Sequence, residues 1–155
     1  MVLIRPRRAA DLGPCADLVR EVHAADRYPR FLPADIGAFL AVPDPYGCWV
    51  ADLAGEVIGH AALVPRGLPA ATQLAASALG MPAERLAVVA RLLVSPRARG
   101  KRAGRMLLDA ATAEAAACTR SSTWTPSSPP PSRCTSPPAG PAPGRSRCAF
   151  VTASR

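Results

Sequence analysis

A chain of 155 residues, 49% of them hydrophobic, is the size of one domain and can build a core. Only 5% are aromatic, so Ala and Leu must supply most of the burial. The formal charge of +8 raises nucleic acid as a partner, but the Arg residues are scattered and not interleaved with aromatics, which argues against it.

No run of about twenty uncharged apolar residues occurs, so no membrane span is expected. Cys15, Cys48, Cys118, Cys134 and Cys148 form no C-x-x-C pair and have no metal spacing with His23 and His60. An odd cysteine count, with charge following the apolar residues at the N-terminus rather than preceding them, fits a reducing cytoplasm.

Val2 to Arg5 reads as a first or edge strand stopped by Pro6. Asp11 then caps a helix whose apolar face is Leu12, Cys15, Leu18, Val19 and Val22. His23 to Pro33 is a proline-containing connection, and 34–40 is a short second helix. Gly47 to Leu53 and Glu56 to Val64 alternate as strands around the turn Ala54-Gly55, an antiparallel hairpin. A small helix is expected over 71–79 with Gly80 as its stop. Leu86 to Val94 is the central strand, interrupted on one face by Arg91.

The most informative stretch follows. Leu92 to Leu108 reads LLVSPRARGKRAGRMLL: a strand end, a Ser-Pro break, a basic turn over Arg97 to Gly104, and a helix opening at Arg105. The first N–H groups of a helix lack partners and carry the positive end of its dipole, so such a junction binds anions. Gly100, Ala103 and Gly104 let the backbone approach a bulky anion, while Arg99, Lys101 and Arg102 add charge. The Walker pattern is excluded because Arg102 stands where a hydroxyl is needed, and no G-x-G-x-x-G occurs.

This stretch resembles the acetyl-CoA motif of the GNAT superfamily of N-acyltransferases, Q/R-x-x-G-x-G/A, with Arg99 opening it and Gly104 closing it. Arg102 occupies the usual central glycine. Its N–H reaches the pyrophosphate only if φ there stays negative. The order of elements over residues 2–117 is also similar to the superfamily.

The resemblance implies an α/β (α+β) fold with a mixed, mostly antiparallel sheet flanked by helices. It implies that the backbone of Leu92, Leu93 and Val94 pairs with the pantetheine arm, and that Arg99, Gly100, Lys101, Arg102, Ala103 and Gly104 hold the pyrophosphate. The implied cosubstrate is acetyl-CoA and the implied activity is N-acetyl transfer to a primary amine of a small molecule or protein. The acceptor is unidentified and a homodimer stays open. His60 and His23 read as structural, and Glu21, Tyr28 and Tyr46, which could meet an amine acceptor, as surface residues, so no catalytic residue is named.

From Cys118 to Arg155 the composition changes: no Asp, Glu, Leu or Ile, with Ser and Pro frequent. Two domains of language result: 1–117, GNAT-like, and 118–155, a basic Pro/Ser-rich tail, either disordered or derived from a frameshift. Read one frame away, Trp124-Thr125 must encode Asp and Cys134-Thr135 only Tyr or His. The shifted text permits LVLDVD, PAAIALY and AGW, which look like the fifth strand, next helix and final strand entry of GNAT enzymes.

On that reading the C-terminal strands are missing or disordered, and the central strand has an open edge unless the tail or a partner covers it. The tyrosine that often protonates the CoA thiolate in the superfamily is absent, and activity is in question. Two alternatives remain: a noncatalytic CoA or phosphate-binding module, and a basic interaction protein acting through its tail.

Overall fold

Four consecutive strands form an antiparallel meander, β1 (Val2–Pro6), β2 (Gly47–Leu53), β3 (Glu56–Val64) and β4 (Ala87–Val94). The computed structural model describes residues 1–65, 69–120 and 150–152. A fifth strand, β5 (Phe150–Thr152), lies parallel to β4 and pairs Ala87 to Val89, so the sheet order is β1-β2-β3-β4-β5. The edge of β4 is therefore covered by C-terminal residues over that short length. The shifted-frame segments around Trp124 and Cys134 lie outside the described residues.

Helices cover both faces. On one face α1 (Leu12–Asp26) and α2 (Ile36–Leu40) enclose Cys15, Leu18, Val19, Val22, Ile36 and Leu40 against Val50 and Leu93. On the other, α4 (Ala103–Arg120) lays Ala103, Leu107, Ala111 and Ala115 on Ala51, Ile58, Ala61, Leu63 and Val89. The four-residue spacing of that stripe is one helix face, and its alanines let the helix axis come close to the sheet. Leu40, Leu63, Leu93 and Leu107 are fully buried, each contributing about 1.5–3 kcal/mol by leaving water. A further helix, α3 (Pro69–Leu79), sits in the connection before β4 and ends at Gly80, as expected.

The hairpin β2–β3 has the boundaries expected from alternation. Asp11 does not act as expected. Its side chain makes no bond to the start of α1; it accepts from the Arg8 amide at 2.6 Å and pairs with Arg5 at 2.7 Å. Arg5 also contacts Asp52 on β2, so Asp11 ties the first turn to the sheet. Leu12, placed on the buried face by spacing, is instead exposed.

Candidate functional site

The strand that leads into the basic turn is not regular. Gly59 faces Val94 and His60 faces Leu93, but Ala62 faces Ala90, so Arg91 and Leu92 together oppose Ala61. This is a β-bulge, and Arg91 supplies its left-handed residue at φ 54. The extra residue inverts the faces of the strand. Ala87 and Val89 pack toward α4 before the bulge, Leu92 and Val94 after it, and Leu93 turns to the α1 face. Among the described residues, the second edge of β4 is paired only over Ala87 to Val89. Leu92 to Val94 thus present strand backbone beside the turn.

Two interactions hold the bulge from the α1 face. The guanidinium of Arg91 stacks over Phe39, 4.1 Å from the ring centre, and its Nε donates to the Phe39 carbonyl at 2.9 Å. The Arg91 carbonyl lies 3.1 Å from Nδ1 of His60, which is completely buried. A carbonyl only accepts, so Nδ1 carries the proton, and Nε2 accepts from Arg7 Nη1 at 3.2 Å. Burial, with the nearby Arg7 and Arg91 charges, pushes the His60 pKa down to about 4. With both nitrogens engaged, His60 is a packed, neutral histidine and not a general base.

Beyond Val94 the chain turns sharply. Ser95 donates its amide to Ile58 and its hydroxyl to Glu21, and it caps a single 3-10 turn, Pro96–Ala98. Gly100 adopts φ 79 and Arg102 φ 60. Arg102 therefore does not keep the negative φ that its contact with a pyrophosphate was expected to need: it is left-handed, at a cost of about 1–2 kcal/mol. Because left-handed residues in a turn can still gather N–H groups into an anion-binding concavity, that condition on φ is dropped. The helix also begins earlier than the sequence suggested, at Ala103 and not Arg105, which puts Gly104 in its first turn. Ala103 is buried, while Arg99, Gly100, Lys101 and Arg102 are exposed in front of the helix end.

Two arginines of the turn are held by α1. Arg97 Nε contacts Glu21 at 2.7 Å, and Arg97 reaches Glu56 at 3.4 Å. Arg99 bonds both carboxylate oxygens of Asp26. Arg97 and Ser95 hold Glu21 below the usual carboxylate range, so it stays ionised. Asp26 was missed in the sequence; an acid at a helix C-terminus opposes the dipole, which was the available signal that a cation sits beside it. A cleft of about 770 Å³ opens on the α1 side of Arg97, lined by Asp17, Glu21 and Glu56 among others. None of Leu92 to Val94 or Arg99 to Gly104 lines it.

A meander, a bulged fourth strand and a glycine-type turn at the start of the long helix α4 form one connected arrangement, and a profile of the acetyltransferase (GNAT) family matches residues 16–128. The chain belongs to the acetyltransferase (GNAT) family. Three solved structures are similar to it in fold. A GNAT-family acetyltransferase of Staphylococcus aureus Mu50 is 10% identical with a TM-score of 0.58 over 77% of this chain and 69% of its own. A GCN5-related N-acetyltransferase of Kribbella flavida is 21% identical, with a TM-score of 0.56 over 75% and 66%. A GNAT-family acetyltransferase of Brucella melitensis, solved in complex with acetyl-CoA, is 19% identical, with a TM-score of 0.54 over 76% and 70%. This GNAT chain therefore spans about two thirds of the length of each. No curated protein matches it. No helix among the described residues is long and apolar enough to cross a membrane.

Proposed function

We propose that the chain binds acetyl-CoA, with the backbone of Leu92, Leu93 and Val94 along the pantetheine arm and Arg99 to Gly104 around the pyrophosphate, and that the reaction is acetyl transfer to a primary amine of a small molecule or protein. The observation that carries this reading is the junction itself. The stretch of β4 that follows the bulge, Leu92 to Val94, runs directly into a turn with left-handed backbone at Gly100 and Arg102, at the positive end of an 18-residue helix, and its second edge is open among the described residues. Peptide N–H groups there suit an anion, and a bulged strand offers backbone hydrogen bonds to an extended ligand. The Brucella melitensis structure with acetyl-CoA supports the choice of ligand.

In the reaction a neutral amine attacks the acetyl carbonyl, the C–S bond breaks, the amine loses a proton and the CoA thiolate gains one. Backbone donors of β4 polarise the carbonyl. His60 supplies neither proton step, since both its nitrogens are committed, and Glu21 is tied to Arg97 and Ser95. The acid expected across positions 134 and 135 is replaced by Cys134 and Thr135 in this chain. We therefore propose slow turnover, with the CoA site carried by 1–117 and β5 of the following residues added to its sheet.

The test is thiol release from acetyl-CoA in the presence of a panel of primary amines. Slow, amine-dependent release that is lost in Gly104→Glu supports the reading. Robust acetylation of many amines contradicts the missing acid. Release no faster than that of Gly104→Glu places the chain with noncatalytic binding modules.

A further inference from the structure

We infer that His60 is a positioning residue: its Nδ1–H, bonded to the Arg91 carbonyl, fixes the β4 bulge and thereby aims the Leu92 amide at the acyl donor. The inference rests on the acyl-donor reading of β4 given above.

A non-glycine residue in the left-handed region is unfavourable, and at an internal strand position it persists only where neighbours hold it. At Arg91 the holding contacts are identifiable. Phe39 takes the side chain, and His60 takes the carbonyl. The peptide linking Arg91 to Leu92 is planar and trans, so its N–H points opposite to its C=O. Anchoring the Arg91 oxygen toward His60 therefore sends the Leu92 N–H the other way, outward from the imidazole. Without the bulge, Leu93 would turn toward α4, and Leu92 and Val94 would face α1.

Arg7 completes the arrangement from β1's exit. Its Nη1 donates to both the Leu40 carbonyl and His60 Nε2, at 2.9 and 3.2 Å. Since a guanidinium has no lone pair to offer, Nε2 must be the unprotonated nitrogen, and Nδ1 is left with the proton that Arg91 needs. The chain Arg7, His60, Arg91 thus selects one tautomer for one purpose. No buried side-chain nitrogen or oxygen among the described residues is left without a partner, so the histidine has no spare valence for another role.

The experiment compares His60→Asn with His60→Gln in the full chain. The amide nitrogen of Asn lies near Nδ1 and can still donate to the Arg91 carbonyl. That of Gln lies near Nε2 and cannot. Two readouts are taken: hydrogen exchange of the Leu93 and Ser95 amides, which follow the bulge and face His60 and Ile58 on β3, and the Kd for CoA. The expected result is protection and affinity within about threefold of wild type for His60→Asn. For His60→Gln, exchange at Leu93 and Ser95 rises at least tenfold while Val50 and Leu63 stay protected, and CoA affinity falls at least tenfold. Adding Arg91→Gly to His60→Gln restores protection, because glycine adopts the bulge without an anchor.

Equal behaviour of the Asn and Gln variants in exchange overturns the inference. Wild-type chain that shows the exchange pattern but no CoA binding overturns the acyl-donor reading and leaves His60 holding the bulge. Should His60→Gln fail to fold, Arg7→Met removes the tautomer selection together with the bond to the Leu40 carbonyl and is expected to raise exchange at Leu93 and Ser95; unchanged exchange there overturns the inference.

Discussion

Arg99 of the basic turn is ion-paired with both carboxylate oxygens of Asp26, the last residue of α1. The cation at which the proposed CoA turn opens is thus engaged by an internal acid, and under that proposal an incoming phosphate competes with Asp26 for it. The pair is solvent-exposed, so its contribution is small and is screened by salt. Asp26→Asn should tighten CoA binding about twofold to fivefold at low salt, with the gain shrinking as salt is raised. Arg99→Gln should weaken it. A titration series over ionic strength measures both, and weaker binding by Asp26→Asn would show that Arg99 needs its partner for orientation.

Arg102 offers a cleaner test of the turn. It holds φ 60 with a side chain attached. Arg102→Gly removes about 1–2 kcal/mol of left-handed strain against about 0.5–1 kcal/mol of added freedom in the unfolded chain. The net expectation is a small gain in stability, about 0.5–1 kcal/mol, with the turn geometry kept. Arg102→Val should lose more than 1 kcal/mol, since a β-branched residue is a stronger outlier there. Urea denaturation of the two variants distinguishes them, and a Gly variant less stable than wild type would mean that the Arg102 side chain contributes something the turn requires.

The pH dependence of folding has two separate windows. His60 titrates at about 4 in the fold against 6.5 ordinarily, because burial disfavours its charged form. Between those values the unfolded chain binds more protons than the folded one, so stability is full above about pH 6.5 and falls as pH drops toward 4, by on the order of 3 kcal/mol at most. Asp11, held down to about 2 by Arg5, contributes above its ordinary 3.8 and loses that contribution only as pH falls from there to about 2. Denaturation of wild type and His60→Asn at pH 7.5 and 4.5 isolates the first window: the wild-type loss should shrink markedly in the variant. An equal loss in both would assign the acid sensitivity to other groups.

The elements that were legible in the sequence are those fixed by local pattern. The hairpin boundaries follow from alternation on either side of Ala54-Gly55, and α1 from the spacing of Cys15, Leu18, Val19 and Val22. The bulge was not legible as such. Arg91 marked the position, but Ala87 to Val94 is apolar on both faces, so no alternation reveals where the phase slips. The partners of Asp11, His60 and Arg99 come from segments distant in the chain, and only the folded sheet brings them together. Arg102 illustrates the limit most directly: local sterics favour negative φ, and the surrounding turn overrides that preference.

The C-terminal residues make a prediction at the level of the gene. If 118–155 is a frameshifted copy of a GNAT C-terminus, the nucleotide sequence across codons 110 to 145 should, in the shifted frame, run without stop codons through Asp at Trp124-Thr125 and Tyr at Cys134-Thr135. Restoring the frame should then raise turnover on an amine acceptor well above that of the present chain. Stop codons, or His at the second position, would remove the frameshift and leave a basic tail to be explained by salt-sensitive partner binding that requires residues 118–155.

The central claim is that the junction of β4 and α4 is a CoA site, and calorimetric titration of CoA into the full chain and into Gly104→Glu tests it most directly. A Cβ at Gly104 would meet Val94 at 3.4 Å, an ordinary contact, so the backbone there accepts a side chain, and a carboxylate in the first turn of α4 favours the helix while repelling a phosphate. The account predicts saturable one-to-one binding by the wild-type chain, lost in Gly104→Glu without a fall in melting temperature. Absence of saturable binding in the wild type, or equal binding by both, would contradict it.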